Sequence, residues 1–124
     1  MVAAYLWLNA ALYLIFAAWM TLLPERTARA VGYLTLSASG HSEFLVVYGG
    51  LQLGLAAFFA WCAWNGTMQR AGVVFALCLY APIVLYRVIT VAHFWPVERT
   101  TMIVGTLELI LLLAAIAIFM RGDR

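Results

Sequence analysis

Residues 3–23 read AAYLWLNAALYLIFAAWMTLL, a run without one charged side chain that closes on Pro24-Glu25-Arg26. A helix rises about 1.5 Å per residue, so roughly 20 apolar residues cross the ~30 Å of bilayer hydrocarbon. The run has that length. It is too long for the apolar region of a cleavable signal, and no basic segment precedes it, so it reads as a retained first membrane span.

Working outward, three further windows have the same character. Residues 42–64 end at the turn signal Asn65-Gly66-Thr67, residues 70–92 end at His93-Phe94-Trp95-Pro96, and residues 97–120 lead into a polar tail. Four apolar segments in succession, separated by short polar breaks, predict an all-α integral membrane protein built as a four-helix transmembrane bundle. At 124 residues the chain is one domain. Composition agrees: 67% of residues are hydrophobic and 10% charged, whereas soluble chains average about 45–50% and about 25%. Mean hydropathy is +1.01.

All seven basic residues are arginines, and they are scattered. No run is dense enough for a nucleic-acid surface or a polybasic lipid-binding segment, so membrane lipids are the expected surroundings and nucleic acid is excluded as a partner. Cys62 and Cys78 lie in apolar stretches without CxxC spacing and read as small hydrophobes.

Tryptophans favour the membrane–water interface. With four spans, Trp7, Trp61 and Trp64 fall near the side that holds both termini, and Trp19 and Trp95 near the other. The first side carries Arg70, Arg121, Arg124 and the amino terminus; the second carries Arg26, Arg29 and Arg99. This slight excess places both termini in the cytoplasm. The longest break, residues 24–41, suits a short interfacial helix over about residues 24–36. Thr27, Val31 and Leu34 would share one face opposite Arg26 and Arg29, and the helix would end near Ser37-Ala38-Ser39-Gly40. An irregular loop is the alternative.

Charge inside a membrane is costly and normally finds a partner in the bundle interior. Glu108 lies near the middle of the fourth window and Arg87 about six residues before the end of the third. The short connection makes these helices antiparallel neighbours, with the two residues only about 6 Å apart in depth, and an Arg87–Glu108 ion pair is predicted. Tyr48 and Gln52, one turn apart, fall in the same membrane half, as do Tyr86 and Thr90. His41, Glu43, His93 and Glu98 stand at its mouth, and Tyr13 shares a face with Asn9 near mid-depth. A polar cavity open to one side follows, with Arg87, Glu108, Gln52, Tyr48, Glu43 and Tyr13 as its ligand-binding groups. The pair has two open uses: a lock on helix register, or ligand and proton handling.

Gly50 and Gly54, continued by Ala57 and widened by Gly49, make a stripe that lets helix backbones approach, and Gly105 belongs to a similar face on the fourth helix. Packing within the bundle or in a homo-oligomer is the expected use. Pro82 should bend the third helix just before Arg87. No residues show metal-ligand spacing on one helix face, and no cofactor is named by the sequence.

The stretch from Glu43 to Gly54, EFLVVYGGLQLG, resembles the Tyr-Gly-Gly signature of small bacterial membrane proteins related to DoxX, and Arg87 and Glu108 fit that pattern. The resemblance implies a four-helix bundle in the bacterial inner membrane. It names no activity, although DoxX is associated with membrane redox partners, which suggests a quinone by analogy. The small multidrug-resistance transporters are similar in length and span number but carry their glutamate in the first helix, where this chain has none. The expected function is a small non-enzymatic membrane protein that binds the polar head of a lipid or quinone. The alternatives are a structural subunit of a larger membrane complex, redox or photosynthetic, a proton-coupled transporter using Glu108, and last an enzyme acting on a lipid-soluble substrate.

Overall fold

The computed structural model of the chain describes residues 1–122, and among these it is helical with no strand. Helix α1 spans Val2–Leu22, α2 Pro24–Ala30, α3 Ala38–Trp64, α4 Gln69–His93 and α5 Arg99–Gly122. Four of them, all but α2, are long and apolar enough to cross a membrane. Their outward faces carry Ile15, Val88, Ile110 and Leu113, each more than half exposed in the isolated chain. Contiguous apolar surface on that scale is covered by lipid in a multi-pass membrane protein.

The bundle is two closely packed antiparallel pairs, α1 with α3 and α4 with α5, which meet through α4. The pairs join tightly at the end that holds the chain termini. Leu6, Phe59, Cys62, Val73, Ala76 and Ala115 are buried there. Gly72 makes the approach feasible: a Cβ on it would stand 2.9 Å from Cys62 Cβ and 2.9 Å from Leu6 Cδ2. At the same end, Arg121 Nη1 donates to Met1 Sδ at 3.7 Å, so the first and last helix ends lie side by side, as an even number of spans requires.

Polar groups buried at this level satisfy one another. Tyr5 Oη donates to the Leu111 carbonyl at 2.9 Å, Asn9 Nδ2 to the Tyr5 carbonyl at 2.8 Å, and Tyr80 Oη to Asn9 Oδ1 at 2.6 Å. The network ties α1 to both α4 and α5 where an unpaired amide or hydroxyl would be expensive.

The connections differ from expectation at the end of α2 and the start of α3, and agree with it at residues 65–67. Helix α2 stops at Ala30, and the chain turns at Gly32, whose φ of 99° is open to glycine without strain. Thr27 and Ala28 are the buried face of α2, whereas Leu34 lies beyond the helix and is 89% exposed. Ser37 to Gly40 does not end the interfacial helix but begins α3: Ser37 is the N-cap, its Oγ accepting from the Gly40 N–H at 3.1 Å. Asn65-Gly66-Thr67 is a turn closed by the Asn65 side chain, whose Oδ1 accepts from the Thr67 hydroxyl at 2.8 Å.

Helix α3 is also not uniform. Its turns over Leu45–Leu51 are π-helical, between α-helical segments Ala38–Phe44 and Gln52–Trp64. Gly49 in this stretch is buried against α1, and a Cβ on it would lie 2.7 Å from Thr21 Oγ1. Gly50 and Gly54 face open space instead, with no atom of the described residues within 4 Å of an added Cβ. Of the expected packing glycines, Gly49 and Gly105 therefore meet neighbours inside this chain and Gly50 and Gly54 do not. Helix α4 continues through Pro82 to His93.

Candidate functional site

Away from the tight end the two helix pairs diverge and leave a cavity of about 520 Å³. Each helix turns one face to it with spacing of three or four residues: Tyr13, Phe16 and Met20 from α1; Tyr48, Gln52 and Leu55 from α3; Tyr80, Ile83 and Arg87 from α4; Thr101, Val104, Glu108 and Leu111 from α5. Val31, Gly32 and Tyr33, from the turn after α2, also line it. Tyr13 is fixed by its ring, stacked on Phe59 at 5.8 Å and on Tyr80 at 6.5 Å between centroids. Tyr48 stacks on Phe44 at 4.7 Å.

Arg87 and Glu108 form the predicted ion pair. Nε donates to Oε2 at 3.0 Å and Nη2 to Oε1 at 2.8 Å, a side-on bidentate contact that holds both groups in one plane. Their side chains are 32% and 15% exposed, so the pair is half-buried. Gly105, nearly one turn before Glu108, supplies the room: a Cβ there would lie 3.1 Å from Arg87 Cγ and 3.3 Å from Cδ. The arginine stem crosses α5 on that bare backbone to reach the carboxylate.

The pair uses two of the guanidinium's five N–H groups. The remaining three donate to no atom of the described residues, and the Gln52 amide likewise makes no side-chain hydrogen bond among them. Among the described residues, Arg87 and Glu108 are the only fully charged side chains lining the cavity. The site therefore combines zero net charge with several unused donors.

Five of the six expected ligand-binding residues, Arg87, Glu108, Gln52, Tyr48 and Tyr13, line this one cavity. Glu43 does not: it is exposed outside the lining. The inward position at that level is taken by its neighbour Phe44, 4% exposed, and a helix turns about 100° between successive residues, which sends Glu43 outward. Tyr86 also points outward, 69% exposed, and the Thr90 hydroxyl bonds back to the Tyr86 carbonyl at 2.7 Å rather than entering the site. His93 and Glu98 are exposed and His41 half-buried, all three outside the lining.

Tyr80, Thr100, Thr101 and the Val31–Tyr33 turn are lining residues beyond the expected set. Tyr80 was within reach of sequence reasoning, because it precedes Arg87 by two turns on the same helix face. The turn residues carry no such signal. Among the described residues no three His, Cys, Asp or Glu side chains gather in one place. No family model, curated protein or solved structure matches this sequence.

Proposed function

We propose that this protein is a membrane-embedded binding protein for an amphipathic molecule, holding the polar head of a lipid or a quinone against Arg87, Glu108, Gln52 and Tyr48. One observation supports the reading. Polar groups from three helices converge on a cavity whose other walls, among them Phe16, Met20, Leu55, Ile83 and Leu111, are apolar. Binding sites for small molecules usually have that mixture and a volume of roughly 300–1,000 Å³. The apolar walls take a chain and the convergent donors orient a head. The resemblance of Glu43 to Gly54 to the DoxX-related signature adds the suggestion of a quinone and of the bacterial inner membrane, and the slight arginine excess on the side of the termini supports a cytoplasmic side for both.

The test is the molecule that travels with the protein. Full-length protein purified in mild detergent is extracted and its lipids and quinones measured by mass spectrometry beside a variant carrying Gln52→Leu and Tyr48→Phe. A species held in stoichiometric amount by the native chain and depleted in the variant supports the reading. An identical extract from both sinks it.

A further inference from the structure

We infer that the head group this cavity takes is an uncharged carbonyl, received by the free edge of Arg87 and the Gln52 amide. This rests on the binding role proposed above and narrows its ligand. The argument begins with charge. Glu108 neutralises Arg87 through two short hydrogen bonds, and no other fully charged side chain of the described residues lines the cavity. An anionic head, such as a phosphate monoester, would enter a poorly solvated site without net counter-charge and would bring its oxygens beside the Glu108 carboxylate. An ammonium head would meet Arg87 instead. The site offers neither sign a net counter-charge.

Hydrogen bonding then selects among neutral heads. Three guanidinium N–H groups are unused, and the Gln52 amide adds two more donors from a different helix. On these two side chains five free donors stand against one acceptor, the Gln52 carbonyl oxygen, and a ligand matches that edge by bringing acceptors. A carbonyl oxygen has two lone pairs and no hydrogen, so it can receive donors from both residues at once. An alcohol head would spend part of its capacity as a donor, and an ether oxygen is the weaker acceptor. The apolar wall formed by Phe16, Met20, Leu55 and Ile83 requires that the carbonyl be attached to a hydrocarbon chain. Two sources carry this chemistry: the ring of an alkylated benzoquinone and the ester groups of an uncharged diacylglycerol.

Four probes separate the possibilities by titration against the full-length protein in a non-ionic detergent, with native mass spectrometry as the readout. They are dioctanoylglycerol, its dioctyl ether analogue, dioctanoyl phosphatidate and a decyl-substituted benzoquinone. The expected result is that at least one carbonyl probe binds about tenfold more tightly than both the ether and the phosphatidate. Whichever of the diacylglycerol and the quinone is preferred identifies the source. Gln52→Leu should weaken the carbonyl probe about tenfold and leave the ether unchanged. Because Arg87→Met alone would strand Glu108, the second variant replaces both by Met, and it should abolish the preference for the carbonyl. Binding of the phosphatidate or of the ether that equals or exceeds that of both carbonyl probes overturns the carbonyl assignment while the binding role stands. Failure of every probe to bind overturns the binding role itself.

Discussion

The stem of Arg87 lies across the bare backbone of Gly105, with Cγ only 3.1 Å from where a Cβ on Gly105 would stand. That contact makes a glycine on α5 part of the apparatus that aims a guanidinium from α4. Two opposing effects act on substitution. Alanine gains about 1 kcal/mol of helix propensity over glycine, and its methyl group pushes the flexible arginine stem by a few tenths of an ångström. The two nearly cancel. Valine adds two further carbons with nowhere to go, and overpacking of that kind costs about 1–3 kcal/mol. Thermal unfolding in detergent should therefore show Gly105→Ala close to the native midpoint and Gly105→Val clearly below it. A native midpoint for Gly105→Val would mean that the arginine does not rest there.

The ion pair itself makes a second prediction. Its half-buried geometry, 2.8 and 3.0 Å on the two arms, is bidentate, and removal of one partner leaves the other charge facing an apolar cavity. For fully buried pairs that loss is about 3–5 kcal/mol. With Arg87 about a third exposed, roughly half of that is expected for Arg87→Met or Glu108→Met. The double replacement strands nothing and should lie nearer the native protein than either single variant. A double-mutant cycle on unfolding free energies reads the difference. Simple additivity would show that the two side chains do not depend on each other.

Much of this arrangement was legible in the sequence, for reasons that can be stated. The spans follow from the length of hydrocarbon to be crossed, and the Arg87–Glu108 register follows from helical rise and a short connection. What the sequence hid is rotation. Helices that are apolar on every side have almost no periodic contrast to say which face meets a neighbour. So the outward turn of Glu43, the use of Gly49 rather than Gly50 and Gly54, and the π-helical turns at Leu45–Leu51 all appear only when α1 and α3 are packed. The α2 connection was obscured differently: Ser37 is equally suited to ending one element or capping the next, and its side-chain bond to Gly40 decides for the cap.

Two glycines should respond oppositely to the same change. At Gly72 a new Cβ would sit 2.9 Å from Cys62 Cβ, an atom bonded directly to the backbone of α3. It cannot yield as a long side chain does, so Gly72→Ala must separate the helices and lose about 1–3 kcal/mol. At Gly54, within the α-helical part of α3, an added Cβ meets nothing in the described chain. There Gly54→Ala should be neutral or stabilising by up to about 1 kcal/mol, through helix propensity alone. Unfolding midpoints measured side by side test the pair, and a loss at Gly54 equal to that at Gly72 would contradict the packing described.

The hydrogen bond from Tyr80 to Asn9 tests the tight end of the bundle. At 2.6 Å, between two side chains that are 2% and 0% exposed, it is shielded from water and from lipid head groups. Tyr80→Phe leaves Asn9 Oδ1 without its donor, and Asn9→Leu leaves the Tyr80 hydroxyl without its acceptor. Side-chain hydrogen bonds between membrane helices are worth about 0.6 kcal/mol on average and up to about 1.7. A position this deeply buried belongs in the upper part of that range, so each single variant should lose about 1–2 kcal/mol. Asn9→Leu has a second consequence, because it also removes the bond from Nδ2 to the Tyr5 carbonyl. That carbonyl lies within α1, and its loss is small. The double variant Asn9→Leu with Tyr80→Phe strands neither partner and should recover part of the stability lost by Tyr80→Phe. Unfolding of the three variants in the same detergent decides the matter, since losses that simply add would mean that the hydroxyl and the amide are satisfied elsewhere.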